Sequence, residues 1–172
     1  RLTGAAEQFE VDTVFSCTAD NPFVDAVHLD RLLEYHLANG YDYTKTEGMP
    51  LGAFGYALSL PAMQRACKLK VEKDTEIWGP LFADTGQFAC GIMKITDPNF
   101  RWPELRLTVD TPEDFELVTR IFDALYEPGN VFPLSAIIDL CRRDPLLPAI
   151  NAGIVQQAGK KFTLKNVDEA RA

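Results

Sequence analysis

One stretch of the sequence decides the fold class: Leu105-Arg106-Leu107-Thr108-Val109-Asp110-Thr111-Pro112-Glu113-Asp114. Its first half is apolar and rich in strand-forming residues, which predicts a strand over 105–109. Its second half is a strong helix start. Thr111 is the expected N-cap, proline suits the first turn, and the two acids that follow face the positive end of the helix dipole.

A second apolar stretch near the start of the chain ends in the same way, with an aspartate and a proline. It reads Val14-Phe15-Ser16-Cys17-Thr18-Ala19-Asp20-Asn21-Pro22 and predicts a strand over 13–18 followed by a turn. Open α/β sheets bind ligands at the carboxyl ends of their strands. Asp20 and Asp110 are therefore candidates to meet over one Mg²⁺ and a phosphate, because Mg²⁺ prefers one or two carboxylates.

Each aspartate also has a structural interpretation. Asp20 is suited to stabilise its own turn or to cap a helix that starts near Val24. For Asp110 the structural role is weaker, because Thr111 caps the helix and Asp114 completes a capping box without it.

The rest of the chain alternates between strand and helix patterns, which indicates an α/β protein with a mixed, mainly parallel sheet. In the helix after Thr111, Phe115 and Phe122 are expected on the buried face. A short helix that includes Trp78 is expected to be capped by Asp74 or Thr75. The other predicted strands are 41–44, 53–58 and 88–95. The other predicted helices are 24–39 with Gly40 as its C-cap, 59–69 with Ser59 as its N-cap, and 134–142, and residues 1–9 are expected to be the end of a helix.

Composition narrows the function. The 172 residues suit one domain, and a net charge of −8 with no basic block argues against a nucleic-acid partner. No apolar run is long enough to span a membrane, and no signal peptide is evident. The four cysteines are widely spaced in apolar stretches, so we expect buried, reduced thiols and a cytoplasmic location.

Together these segments resemble the cytidylyltransferases that activate sugars and sugar acids with CTP. The likeness is greatest to the spore coat polysaccharide type, and more distant to the acylneuraminate and 3-deoxy-manno-octulosonate cytidylyltransferases. It covers about residues 5–157, and its most specific part is 105–114. The matching stretches are Thr18 to Phe23, Tyr41-Asp42-Tyr43, Pro50-Leu51-Gly52, 105–114 and Pro133 to Asn151 with its Ile-Asn turn.

The resemblance implies a Rossmann-like, three-layer nucleotidyltransferase fold that is incomplete at its N-terminus. Residues 1–157 would be the C-terminal part of a single domain, and 158–172 a polar tail. The implied reaction is attack of a small acidic or phosphorylated acceptor on the α-phosphorus of CTP, with release of pyrophosphate. The implied assembly is a homodimer that uses segments near 48–58 and 80–95.

The resemblance also assigns residues. Asp20 and Asp110 match the family's metal-binding, catalytic aspartates. Thr18, Asn21 and Pro22 are expected to shape the first turn, and Thr18 and Asn21 to contact substrate. Three further residues, Lys45, Glu76 and Trp78, are candidates on the acceptor side.

Two alternatives remain open, because the sequence contains no glycine-rich phosphate loop. In the first alternative, the chain is a catalytically silent binding or scaffold domain of the same fold. A glycosyltransferase of similar fold is the other alternative, although the DxD metal motif typical of such enzymes is absent.

Overall fold

The computed structural model describes residues 1–71, 78–156, 162 and 164–165. They form an α/β structure of four strands and seven helices. In chain order the elements are α1 Leu2–Gln8, β1 Thr13–Ser16, α2 Ala26–Asn39, β2 Tyr43–Glu47, β3 Tyr56–Ser59, α3 Leu60–Leu69, α4 Gly79–Ala83, β4 Cys90–Lys94, α5 Pro112–Leu125, α6 Leu134–Arg143 and α7 Leu146–Ala149.

The strands form one mixed sheet in the order β1-β3-β2-β4. Strand β2 pairs with β4 in parallel, whereas β3 pairs antiparallel with both β1 and β2. The α/β class and the mixed sheet are confirmed, with a smaller parallel share among the described strands than expected. Strand β3 lies in the interior of the sheet, and β1 and β4 are its edges.

Side chains of each strand alternate between the two faces of the sheet, and helices cover both faces. On β2, Tyr43 packs with Leu58 against the apolar face of α3. Its neighbour Thr44 points to the opposite face, where its hydroxyl lies 2.8 Å from His36 Nδ1 on α2. The result is the three-layer arrangement expected from the resemblance.

A separate core cluster joins α5 and α6 to the segment 105–107. Leu105 and Leu107 are 2% and 0% exposed, and Leu117 and Ile121 of α5 are fully buried beside them. Phe115 and Phe122, which we expected on the buried face of α5, are 64% and 36% exposed. That expectation was wrong because the buried stripe is centred on Leu117 and Ile121.

Helix ends follow the predicted signals. Ser59 caps α3 by accepting a hydrogen bond from the Ala62 N–H, and Gly40 ends α2 in the left-handed conformation at φ 60°. Helix α5 has the full capping box between Thr111 and Asp114. Helix α7 was not predicted. The predicted caps Asp74 and Thr75 lie outside the described residues.

The predicted strand over 105–109 is not formed. Only Arg106 forms a β-bridge, to Leu51 in the loop 48–52, with Leu51 N–H donating to Leu105 O and Leu107 N–H donating to Leu51 O. The loop then turns away at Gly52, whose φ is +92°. The segment is extended and buried, but its partner is a loop too short and curved to continue a ladder.

The cysteine prediction also needs correction. All four cysteines are free thiols, but Cys17, Cys67 and Cys90 are exposed and only Cys141 is buried. Apolar neighbours in sequence do not ensure burial, because the edge strand β4 alternates exposed and buried positions. Within the described residues, no helix combines the length and apolar character needed to cross a membrane.

Candidate functional site

The turn after β1 holds its shape through Thr18 and Asn21. Asn21 N–H donates to Thr18 O at 3.1 Å, and Asn21 Nδ2 donates to Thr18 Oγ1 at 2.9 Å. Asn21 Oδ1 is buried and accepts no hydrogen bond within the described part of the chain. These contacts support the predicted turn-shaping role of both residues.

Asp20 lies at the exposed tip of this turn. It does not cap α2, because Asp25 does so by accepting the His28 N–H at 2.9 Å. No hydrogen bond or ion pair of the Asp20 carboxylate is found among residues 1–71 and 78–156. The structural interpretation of Asp20 as a helix cap is therefore excluded.

The backbone brings the two predicted aspartates to one edge of the molecule. Val109 N–H donates to Asp20 O at 2.9 Å, which holds the first turn against the residue that precedes Asp110. The Asp110 side chain is 44% exposed. The structure thus joins the backbone beside two aspartates that lie far apart in sequence.

Asp110 is held by a buried arginine that the sequence analysis did not identify. Arg106, which is 7% exposed, donates from Nη2 to Asp110 Oδ2 at 2.5 Å. Its Nε and Nη2 also donate to the two carboxylate oxygens of Asp114, at 2.9 and 3.0 Å, and its Nη1 donates to Gln156. The sequence signal that could have identified Arg106 is its positive charge inside the apolar run Leu105 to Val109.

Asp114 is the fully buried anchor of this network. It accepts the backbone N–H groups of Asp110 and Thr111 at 3.0 and 3.1 Å, and Asn151 Nδ2 at 2.8 Å. Burial alone would raise the pKa of the Asp114 carboxyl, but the hydrogen bonds from Arg106, Asn151 and Asp110 N–H outweigh it and lower that pKa. The Arg106 pKa is raised, mainly by its hydrogen bond to Asp114.

The donor set at this edge suits a hard cation such as Mg²⁺. Asp20 has both carboxylate oxygens without protein partners among the described residues, and Asp110 keeps Oδ1 without one. Mg²⁺ is typically held by one or two carboxylates, with water and substrate phosphates completing the shell. In the described ranges no group of three or more histidine, cysteine or acidic side chains is suited to a metal, so a site here rests on the pair.

The remaining predicted site residues lie elsewhere. Lys45 is half-buried on β2, paired with Tyr56 on β3 and Ile92 on β4. Trp78 packs edge-on against Tyr56 with ring centroids 5.5 Å apart. No hydrogen bond, ion pair or ring contact among the described residues joins Lys45 or Trp78 to the edge that carries Asp20 and Asp110. Glu76 lies outside the described residues.

Comparison with known proteins identifies the family. A family model described as cytidylyltransferase matches residues 1–132, a range that contains both aspartates and Arg106. The spore coat polysaccharide biosynthesis protein SpsF of Bacillus subtilis is 28% identical over 147 residues, covering 84% of this chain and 61% of SpsF. An uncharacterized protein of Methanocaldococcus jannaschii, MJ1063, is 27% identical over 164 residues, covering 92% of this chain and 65% of its own length.

A solved cytidylyltransferase from Leptospira borgpetersenii has the same fold, with a TM-score of 0.73 at 17% identity. The alignment covers 91% of this chain and 66% of that structure. The chain therefore spans roughly two thirds of the length of the proteins that it matches. On the family match over residues 1–132, this protein belongs to the cytidylyltransferase family.

Proposed function

We propose that the protein acts in a Mg²⁺-dependent cytidylyl transfer from CTP to a small acidic or phosphorylated acceptor, in the synthesis of a polysaccharide or surface glycan. One observation carries the proposal: the Val109–Asp20 backbone hydrogen bond places two exposed aspartates at one edge in a chain of this family. The name of the relative SpsF supports the polysaccharide setting.

In this reaction an oxygen of the acceptor forms a bond to the α-phosphorus of CTP, and the bond from that phosphorus to the bridging oxygen breaks. Pyrophosphate leaves with the bond electrons. Asp20 and Asp110 would hold Mg²⁺, which when bound neutralises charge on the triphosphate and on the leaving pyrophosphate. The task of the protein is to position the groups and to stabilise the developing charge.

The chain's own residues supply that positioning. The Thr18–Asn21 hydrogen bonds fix the turn that presents Asp20, and we assign both residues to the substrate side of this turn. On the acceptor side we propose Lys45, Glu76 and Trp78. Their assignment rests on the family resemblance. Among the described contacts, Lys45 and Trp78 both lie next to Tyr56.

We also propose a cytoplasmic homodimer. The edge strand β4 supports the homodimer, since it leaves one side of its backbone unpaired within the sheet and carries Ile92 at 40% exposure. The other predicted segment, 48–58, contributes less, because β3 lies inside the sheet. Four free cysteines agree with a reducing compartment.

Pyrophosphate release tests the proposed reaction. The protein is incubated with CTP, Mg²⁺ and a panel of sugar acids and sugar phosphates, and wild type is compared with Asp110→Asn. We expect the variant to lose about 100-fold or more of the rate, because a charged ligand of the cation becomes neutral. Asp123→Asn, an exposed change on α5, is the matched control.

Two outcomes would count against the proposal. Equal release by wild type and Asp110→Asn would remove Asp110 from the site. No release by wild type with any acceptor would favour the catalytically silent domain of the same fold.

A further inference from the structure

We propose that Arg106 is a positioning residue that orients Asp110 for the metal, and that Asp114 and Asn151 exist to hold Arg106 in place. The inference rests on the proposed function, because it assumes that Asp110 is a metal ligand. Through Arg106, Asp114 and Asn151, the buried interior sets the orientation of the exposed Asp110 carboxylate.

The contacts form a continuous chain from the core to the surface. Asn151 donates to Asp114 Oδ1 at 2.8 Å and to Arg106 O at 3.0 Å, which ties the segment after α7 to both partners. Asp114 grips the guanidinium with both oxygens. The same Nη2 then reaches Asp110 Oδ2 at 2.5 Å. Only the rigid, forked guanidinium is suited to bind two carboxylates in this way.

Charge balance explains why an arginine is compatible with a cation site. A positive group beside a metal ligand weakens metal binding unless its charge is offset. The fully buried Asp114 carboxylate supplies that offset to Arg106. The edge therefore keeps the two negative charges of Asp20 and Asp110 while Arg106 restrains the Asp110 side chain.

The restraint also selects an oxygen. Arg106 occupies Asp110 Oδ2, whereas Oδ1 accepts no hydrogen bond in the described part of the chain. Partners of this kind orient metal ligands, and their loss typically costs about 10- to 100-fold in metal affinity. Because Asp20 has no comparable partner among the described residues, the preorganisation of the pair depends on Arg106.

The test measures Mn²⁺ affinity by electron paramagnetic resonance of the free ion, below the unfolding transition of each variant. Arg106→Lys keeps the charge but loses the fork. In Arg106→Met/Asp114→Asn both buried charges are removed together, so the net charge is unchanged and no buried charge is left unpaired. We expect each folded variant to bind Mn²⁺ about 10-fold or more weakly.

Arg120→Lys is the matched control, since Arg120 forms an exposed i,i+4 pair with Glu116 on the same helix as Asp114. It should bind Mn²⁺ as wild type does. A purely structural role for Arg106 predicts altered unfolding but unchanged Mn²⁺ affinity in folded variants, and that result would overturn the inference.

Asp110→Asn separates this inference from the function on which it rests. If wild type binds Mn²⁺ and Asp110→Asn does not, the metal site stands and the Arg106 variants decide the positioning role. If wild type and Asp110→Asn bind Mn²⁺ equally, or neither binds it, Asp110 is not a ligand and both proposals fail. Should Arg106→Lys not fold, the charge-neutral double variant gives the answer.

Discussion

The two aspartates of the candidate site have opposite kinds of support. Asp20 projects from a turn that is held by backbone and short side-chain contacts, and its carboxylate has no partner among the described residues. Asp110 is restrained by Arg106, which is itself fixed by a fully buried carboxylate. One side of the site is therefore coupled to the stability of the core and the other is not.

This difference has a physical consequence for substitutions. A change at an exposed, unpartnered side chain leaves the folded and unfolded states almost equally affected. A change inside a buried ion-pair network leaves a charge without its partner. Substitution of Asp20 should thus affect function alone, whereas substitution of Asp114 should affect both function and stability.

The largest contrast is expected between Asp114→Ala and Asp20→Ala in urea unfolding. Asp114→Ala leaves Arg106 buried without its bidentate partner and should cost about 3–5 kcal/mol. Asp20→Ala should stay within about 0.5 kcal/mol of wild type. Asp123→Ala, at an exposed site on α5, controls for the loss of an acid from that helix. A cost below about 1 kcal/mol for Asp114→Ala would show that the network does not stabilise the fold.

Thiol alkylation compares the same two regions without a mutation. Cys17 lies exposed just before the turn that carries Asp20. Cys141 is 1% exposed, in the core cluster that includes Leu105 and Leu107. Burial raises the pKa of the Cys141 thiol to about 11. At pH 8 its thiolate fraction is then on the order of 100-fold below that of an ordinary thiol.

We therefore expect iodoacetamide at pH 8 to label Cys17 at least about 100-fold faster than Cys141, as read by peptide mass spectrometry. In urea the two cysteines should react at similar rates. Comparable rates in the native protein would mean that the core behind 105–107 opens readily.

A smaller effect on stability is expected where the loop 48–52 packs against residues 105–108. A Cβ at Gly52 would lie 2.6 Å from Thr108 N, whereas one at Gly129 meets nothing within 4 Å, and both glycines have positive φ. Gly52→Ala should destabilise by about 1–3 kcal/mol more than Gly129→Ala, because only the former forces backbone apart. Equal costs in urea unfolding would show that this contact is easily relieved.

The sequence was most informative where the signals are local. The capping box at Thr111 and Asp114, the Ser59 cap and the Gly40 helix end each depend on neighbours within a few residues, and each was predicted correctly. The two aspartates were singled out by a strand-end rule. The Val109–Asp20 hydrogen bond joins the backbone beside them, although the strand predicted before Asp110 is not formed. Their role as metal ligands stays a prediction.

The errors arise from contacts between distant parts of the chain. The alternation Leu105 to Val109 predicts a strand, yet Arg106 and Thr108 are buried, as Leu105 is, because their partners come from elsewhere. Arg106 owes its place to Asp114 and to Asn151, which lies 45 residues away from it. The cation inside the apolar run 105–109 indicates that Arg106 has a buried partner, but no local pattern identifies Asn151 as part of that network.

The central claim is that Asp20 and Asp110 form one cation site, and Mn²⁺ titration followed by amide NMR tests it most directly. Paramagnetic broadening should affect the amides of 18–21 and 108–111 in parallel, with one common midpoint. Asp20→Asn should weaken the broadening of both segments together. Broadening of one segment alone, or two independent midpoints, would contradict the account.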